Sequence, residues 1–287
     1  MVWDVYTWET KVMSKKLFCE ISPLTYWISV QKNIALRNIG DFFGNEKFAL
    51  RKSDVKLPFV VMKHSSTIRR VLGNVDMTLQ ENKAKNLALA APKIDGILIY
   101  PGETFSLWKL VGKCKASLGY RPGLTISKSS VSSGVGGGMC QLSNLIHWMI
   151  LHSPLEITEH HHHDGFDLFP DCDRRVPFGT GTSITYNYLD YRVKNTTNSV
   201  YQICVFVTDN DLCGELRSDR EPELVYEIRT EGECFVREAG EVYRTGKVFR
   251  KCISKNNGEI LWDRCIRSNH AKVMYDTGNL TVIEKAD

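Results

Sequence analysis

An α+β fold is the class this sequence predicts, on three observations. Leu142, Leu145, Ile146, Met149 and Ile150 recur at helical spacing directly after a glycine-rich stretch. A second helical pattern, rich in Ala, Leu, Lys and Asn, covers 76–93. From about residue 171 the chain turns to short β-type runs separated by glycines. The expected architecture is a central helix that begins at the glycine stretch, packed on β-strands, with a β-rich C-terminal region.

Bulk properties narrow the classes. A chain of 287 residues with 43% hydrophobic content can bury a core, as one large domain or two ordinary ones. A net charge of +4, with Lys and Arg scattered along the chain, does not indicate nucleic acid. Nine cysteines, an odd number without a C-x-x-C pair, suggest reduced thiols and no cysteine-pair metal site. The N-terminus lacks the uninterrupted apolar core of a secretory signal, and no stretch reaches about 18 apolar residues. A cytoplasmic location is therefore expected, with action outside the cytoplasm left open.

Three regions are expected. Residues 1–38 mix Trp3, Trp8, Tyr26 and Trp27 with Lys and Arg, as in an amphipathic helix lying on a core or touching a membrane surface. Residues 39–207 form the core region, although 39–75 carries only short signals. Within it, helix 76–93 leads to a buried strand at Ile97–Tyr100, stopped by Pro101-Gly102. Glu103–Trp108 follows, then a turn at Gly119–Gly123 and a Ser-rich approach to the glycines. Leu155–His163 alternates like an extended strand, Ser183–Tyr188 and Tyr191–Asn195 read as strands, and Val200–Val207 is the strongest strand signal. Residues 208–287 form the β-rich end, with short strands expected at 224–229, 233–237, 247–253 and 272–275.

Chemistry concentrates at Gly134–Leu145. Four glycines in five positions cannot sustain a helix or strand interior, so they form a tight turn that sets Cys140 in the first helical turn. Unpaired N–H groups and the helix dipole favour a thiolate there, so Cys140 is a candidate nucleophile. A buried, merely packed cysteine is the competing reading. Phosphate binding is disfavoured, because neither a P-loop ending nor a complete G-x-G-x-x-G is present.

His160–His163 is the second feature. On a strand, His161 and His163 would share one face and His160 and His162 the other. Zinc with Asp164, Asp167 and Cys172 nearby, a solvated tract, and a histidine serving Cys140 are the three readings, and no metal or other cofactor is expected. His147 lies seven residues beyond Cys140, roughly 10.5 Å along a helix, too far for a base.

Together with Pro101-Gly102-Glu103-x-Phe105-Ser106, these anchors resemble the VanW family of glycopeptide-resistance proteins over about residues 75–207. The motifs that carry the resemblance are Ala90-Ala91, Ile94–Ser106, Gly119-Tyr120, Gly136–Ser143 and Glu159–His163. The chain looks like the family's short members and not its long membrane-anchored ones. The resemblance implies a role in glycopeptide resistance and peptidoglycan metabolism, with a peptidoglycan stem peptide or precursor as partner. It further implies an L,D-transpeptidase-type cysteine acyltransferase in which Cys140 is the nucleophile and His161 or His163 the base, with His161 favoured within the pair. The backbone of Gly136, Gly137 and Gly138 would face the oxyanion, and Gln141, Ser143, Glu103 and Tyr120 would complete the site. Where many relatives carry an acidic residue this chain has Gly181, so Asp190 or Glu103 is expected to orient the histidine. A non-catalytic accessory or binding protein is the alternative.

Overall fold

The computed structural model describes residues 17–70, 76–127, 130–162, 165–170 and 176–284. The chain divides into two compact units, residues 1–45 and 46–287. In the first, helix α1 (Pro23–Phe43) opens with a reciprocal cap. The Ser22 hydroxyl accepts the Thr25 N–H, the Thr25 hydroxyl accepts the Ser22 N–H, and proline occupies the first turn. Trp3 and Trp8 lie outside the described residues. No helix among the described residues is long and apolar enough to cross a membrane.

In the second unit, β1 (Lys47–Phe48) and β2 (Phe59–Thr67) precede α2 (Met77–Ile94). The α2 N-terminus is capped by Asp76, whose carboxylate accepts the Thr78 N–H at 2.8 Å. Its inward stripe joins apolar Ala84, Leu87, Ala91 and Ile94 to polar Gln80, Lys83 and Asn86. The chain continues through β3 (Ile97–Ile99), β4 (Glu103–Ser106), α3 (Leu107–Val111), β5 (Pro122–Ser127) and β6 (Ser130–Val135) to α4 (Met139–Leu151). Beyond it come β7 (Glu156–Glu159), β8 (Phe166–Asp167), β9 (Arg192–Lys194), β10 (Tyr201–Val207) and β11 (Asp211–Ser218). Long strands β12 (Leu224–Glu238), β13 (Glu241–Ser254) and β14 (Ile260–Val273), then β15 (Val282–Glu284), complete the fold.

An antiparallel sheet in the order β2-β11-β10-β3 forms the floor under α2 and α4. Helix α4 sits directly on β11: a side chain added at Gly214 would come within 2.8 Å of Met149. Leu142, Ile146 and Met149 are fully buried there, each stabilising the fold by about 1.5–3 kcal/mol. A second sheet runs β1-β4-β9-β7, a third β15-β12-β13-β14-β8, and β5 and β6 form a hairpin of their own. Arg250 of β13 ties the third sheet to the end of α4 by donating to the carbonyls of Leu151 and Ser153, which satisfies last-turn acceptors.

The predicted α+β class, the helix over 76–93, the central helix and the strand at 200–207 are all present. Three elements differ from expectation. Of the tail glycines read as breaks, Gly240 and Gly258 do separate strands, whereas Gly232 and Gly246 lie inside continuous ones. Gly232, at φ +60°, sits in a bulge of β12 between Glu231 and Cys234, where the extra residue is absorbed without ending the strand. The two strands expected at 183–195 reduce to a turn closed by the Thr185–Leu189 bridge and to short β9. There the Asp190 carboxylate takes the N–H groups of Trp108 and Tyr191, so this backbone is satisfied by a side chain and not by a ladder. Finally, the strand before the histidines stops at Glu159.

Candidate functional site

The glycine turn is held by close backbone contact. A β-carbon at Gly137 would lie 2.2 Å from the backbone carbon and oxygen of Gly123, so the turn and the start of β5 fit only without side chains. Gly136 and Gly138 have φ of +82° and +97°, the left-handed region that glycine enters without strain. Asn86 locks the turn from α2. Its amide donates to the carbonyls of Arg121 and Gly137, both at 2.9 Å, and its oxygen accepts the Arg121 N–H at 2.7 Å. Asn86 is fully buried and was not singled out from the sequence. An asparagine on the apolar stripe of a helix was the available signal.

The turn delivers Cys140 to the second residue of α4, as predicted, and α4 carries no side-chain cap. Cys140 lines a cavity of about 340 Å³. Its walls come from the end of β2, from Lys83 of α2, from residues 165–170 and 176–181 and from β14. The Ile184 N–H and the cysteine's own N–H point at the sulfur and favour a thiolate, but burial outweighs them and pushes the thiol above its usual range. The free protein therefore holds a protonated Cys140 near neutral pH.

Of the histidines in 160–162, His162 lines the cavity that holds Cys140, as do His64 and His270 from elsewhere in the chain. His161 does not line it: its Nε2 is 2.9 Å from a Glu159 oxygen, and Glu159 also accepts the Asp190 N–H. His163, like Asp164 and Cys172, lies outside the described residues. Although the strand ends at Glu159, the side chains still alternate: His161 turns to Glu159 while His160 and His162 meet on the other side, so the pairing expected from strand parity holds and the face turned to the cavity is that of His162. His160 lies between His147 and His162, tilted on the first and edge-on to the second, with ring centroids at 4.1 and 4.0 Å. The Gly181 carbonyl, 3.3 Å from His160 Nε2, can only accept, so that nitrogen carries the proton. Burial and the nearby His162 push His160 down to about 3. Burial first and then His160 hold His147 well below the ordinary histidine range, and its Nδ1 lies 3.0 Å from the Tyr191 hydroxyl.

The other expected site groups take mostly structural positions. Gly136 N–H bonds the Arg121 carbonyl and Gly137 N–H the Gly134 carbonyl, so neither faces an oxyanion, which leaves the glycine contribution to Gly138. Gln141 lines the cavity, but its amide donates to Ser66 and Thr67. Ser143 bonds the Cys140 carbonyl and Thr182. Glu103 pairs with Arg51 and accepts the Tyr100 N–H. Tyr120 is buried beside Cys114, and desolvation with that neighbour pushes its phenol up to about 12. Asp190 is fully buried and engages Ser106, Trp108, Tyr191 and Arg192. Asp167, on the cavity wall, meets Arg244 at 3.4 Å and the Tyr275 hydroxyl at 2.9 Å. Among the described residues, no group of three or more His, Cys, Asp or Glu side chains is arranged to hold a metal ion.

Residues 82–217 match the family described as "VanW like protein". The chain is 34% identical over 231 residues to the Vancomycin B-type resistance protein VanW of Enterococcus faecalis (strain ATCC 700802 / V583), covering 80% of this chain and 84% of that one. It is 30% identical over 121 residues to the uncharacterized protein YoaR of Bacillus subtilis (strain 168), which covers 41% of this chain and 37% of YoaR. No solved structure matches. The match extends along most of both chains in the Enterococcus pair, and the glycine turn, Cys140 and the histidine segment all fall within the family region, so this protein belongs to the VanW family.

Proposed function

We propose that this protein acts in glycopeptide resistance, the role named for its Enterococcus relative, as a cysteine-dependent acyltransferase on peptidoglycan stem peptides. The observation that carries this reading is that Cys140, at an uncapped helix start, and His162 line one cavity. In the proposed reaction His162 takes the thiol proton and the sulfur attacks a peptide carbonyl. A C–S bond forms, the C–N bond then breaks, and the amine leaves with the proton from the imidazolium. A second amine attacks the thioester, the C–S bond breaks, and the thiol is restored. First-turn N–H groups of α4 are the donors for the oxyanion, each worth about 2.7–4 kcal/mol in comparable sites.

Intact-mass measurement after incubation with stem peptides tests the reading. An acyl adduct on Cys140, absent from Cys140→Ser, is the expected outcome. One observation favours a second reading: burial keeps the Cys140 thiol protonated, as in a pocket that recognises a peptidoglycan precursor or partner without turning it over. Peptide that binds, returns unchanged and leaves no adduct supports that reading instead.

A further inference from the structure

Lys83 is the group in the cavity for which the chemistry above has no use. It projects from the inward stripe of α2, is 8% exposed, and lines the cavity that holds Cys140. Its stem lies across the turn before α4: a β-carbon at Gly138 would come within 2.2 Å of Lys83 Cγ, so glycine there makes room for the lysine. No hydrogen bond or ion pair joins its ammonium to any described residue. Nearby, Arg69 is neutralised by both oxygens of Glu81. Among the described residues no carboxylate pairs with the Lys83 ammonium in this way, and a cation at the end of a largely buried side chain gains from a counter-ion.

The surroundings deepen the imbalance. Arg70, Lys83 and Arg267 all line the cavity, while Asp167 is the one carboxylate among its described lining residues. That carboxylate is occupied by Arg244 and Tyr275. Burial, with the charges of Arg70 and Arg69, lowers the Lys83 ammonium to about 8, which leaves it mostly charged at neutral pH. Among the described lining residues cations outnumber carboxylates, a balance that suits an anion.

We propose that Lys83 anchors a carboxylate of the molecule that enters the Cys140 cavity, so that the ligand is an acyl compound bearing a free carboxylate. The assignment rests on the acyltransferase reading for the acyl part of the ligand. An anchor on the Gly138 side of the cavity would hold the carboxylate close to the start of α4 and so fix which carbonyl meets the sulfur.

The test uses the full chain and calorimetric titration at pH 7 with N-acetylalanine and N-acetylalaninamide, each in D and L forms. Wild-type protein is expected to bind the acid about tenfold more tightly than the amide, Lys83→Met to lose that preference, and Lys83→Arg to keep it. Equal binding of acid and amide, binding of neither, or a preference that survives Lys83→Met would overturn the assignment. Inorganic phosphate that outcompetes the acid would replace the carboxylate by a phosphate ligand and overturn it as well. If circular dichroism shows that Lys83→Met does not fold, the wild-type comparison and Lys83→Arg still decide. Binding does not require a reactive sulfur, so a missing Cys140 adduct and a missing carboxylate preference are separate failures.

Discussion

Two segments that meet at the cavity are held in different ways. The glycine turn at 134–138 is fixed by backbone: it presses against Gly123 without room for a β-carbon and is bonded on both sides by Asn86. The histidine segment, 160–162, follows the last residue of β7 and is held by a backbone bond, from the Ser183 N–H to the His161 carbonyl, and otherwise by side chains: ring contacts, Glu159, and His160 on the Gly181 carbonyl. Backbone contact of the first kind has little tolerance for change, whereas side-chain contacts of the second kind can be altered one at a time. The turn therefore supports the fold, and changes at single histidines are expected to cost it less.

The strongest way to break this contrast is Gly137→Ala, whose methyl would overlap the Gly123 backbone. A loss of about 3 kcal/mol is expected in denaturant unfolding. Asn86→Ala comes next, because it leaves the Gly137 carbonyl and the Arg121 N–H unpaired in the interior, at a cost of about 2 kcal/mol by the same measurement. If both variants unfold like the wild type, the turn is not the fixed element.

On the histidine side the effects should appear in reactivity. His162→Ala is expected to slow alkylation of Cys140 about tenfold at neutral pH, because His162 lines the same cavity as the thiol. His161→Ala, which loses its bond to Glu159, should leave that rate unchanged. Rates read by peptide mass mapping in the two variants decide between the neighbouring histidines, and a slowed His161→Ala would return the base to the residue expected from the family motif.

The last effect vanishes at neutral pH and appears only on acidification. His160 is pushed down to about 3 in the fold, so between that value and the ordinary histidine range near 6.5 the unfolded chain binds the extra proton. Its contribution is complete above about pH 6.5 and is lost as pH falls toward 3, at most about 1.4 kcal/mol per pH unit. His160→Gln should flatten the decline of the urea midpoint over that window. An unchanged slope would mean that His160 is not held neutral by burial.

Much of this was legible in the residues. The glycine turn, the start of α4 at the cysteine, and the helix over 76–93 are local consequences of backbone freedom and 3.6-residue periodicity, which the chain carries wherever it is placed. The family motifs lie in the same stretch. The extent of the tail strands was less legible, since a glycine in a bulge and a glycine in a turn look alike until a neighbouring strand pairs across it.

What only tertiary structure decided is which side chains share the cavity. His162 and not His161 lines the cavity: the period-two alternation separates the two as expected, with His160 beside His162 and His161 turned to Glu159, but which face looks into the cavity was set by packing. Lys83 and Arg267 come from α2 and β14, far from Cys140 in sequence, and meet it there. No local pattern encodes such a meeting, because it depends on how α4, the floor sheet and the third sheet pack. The sequence by itself determined where the cysteine sits on its helix, through local backbone preference. Packing between distant elements determined the charges that face it.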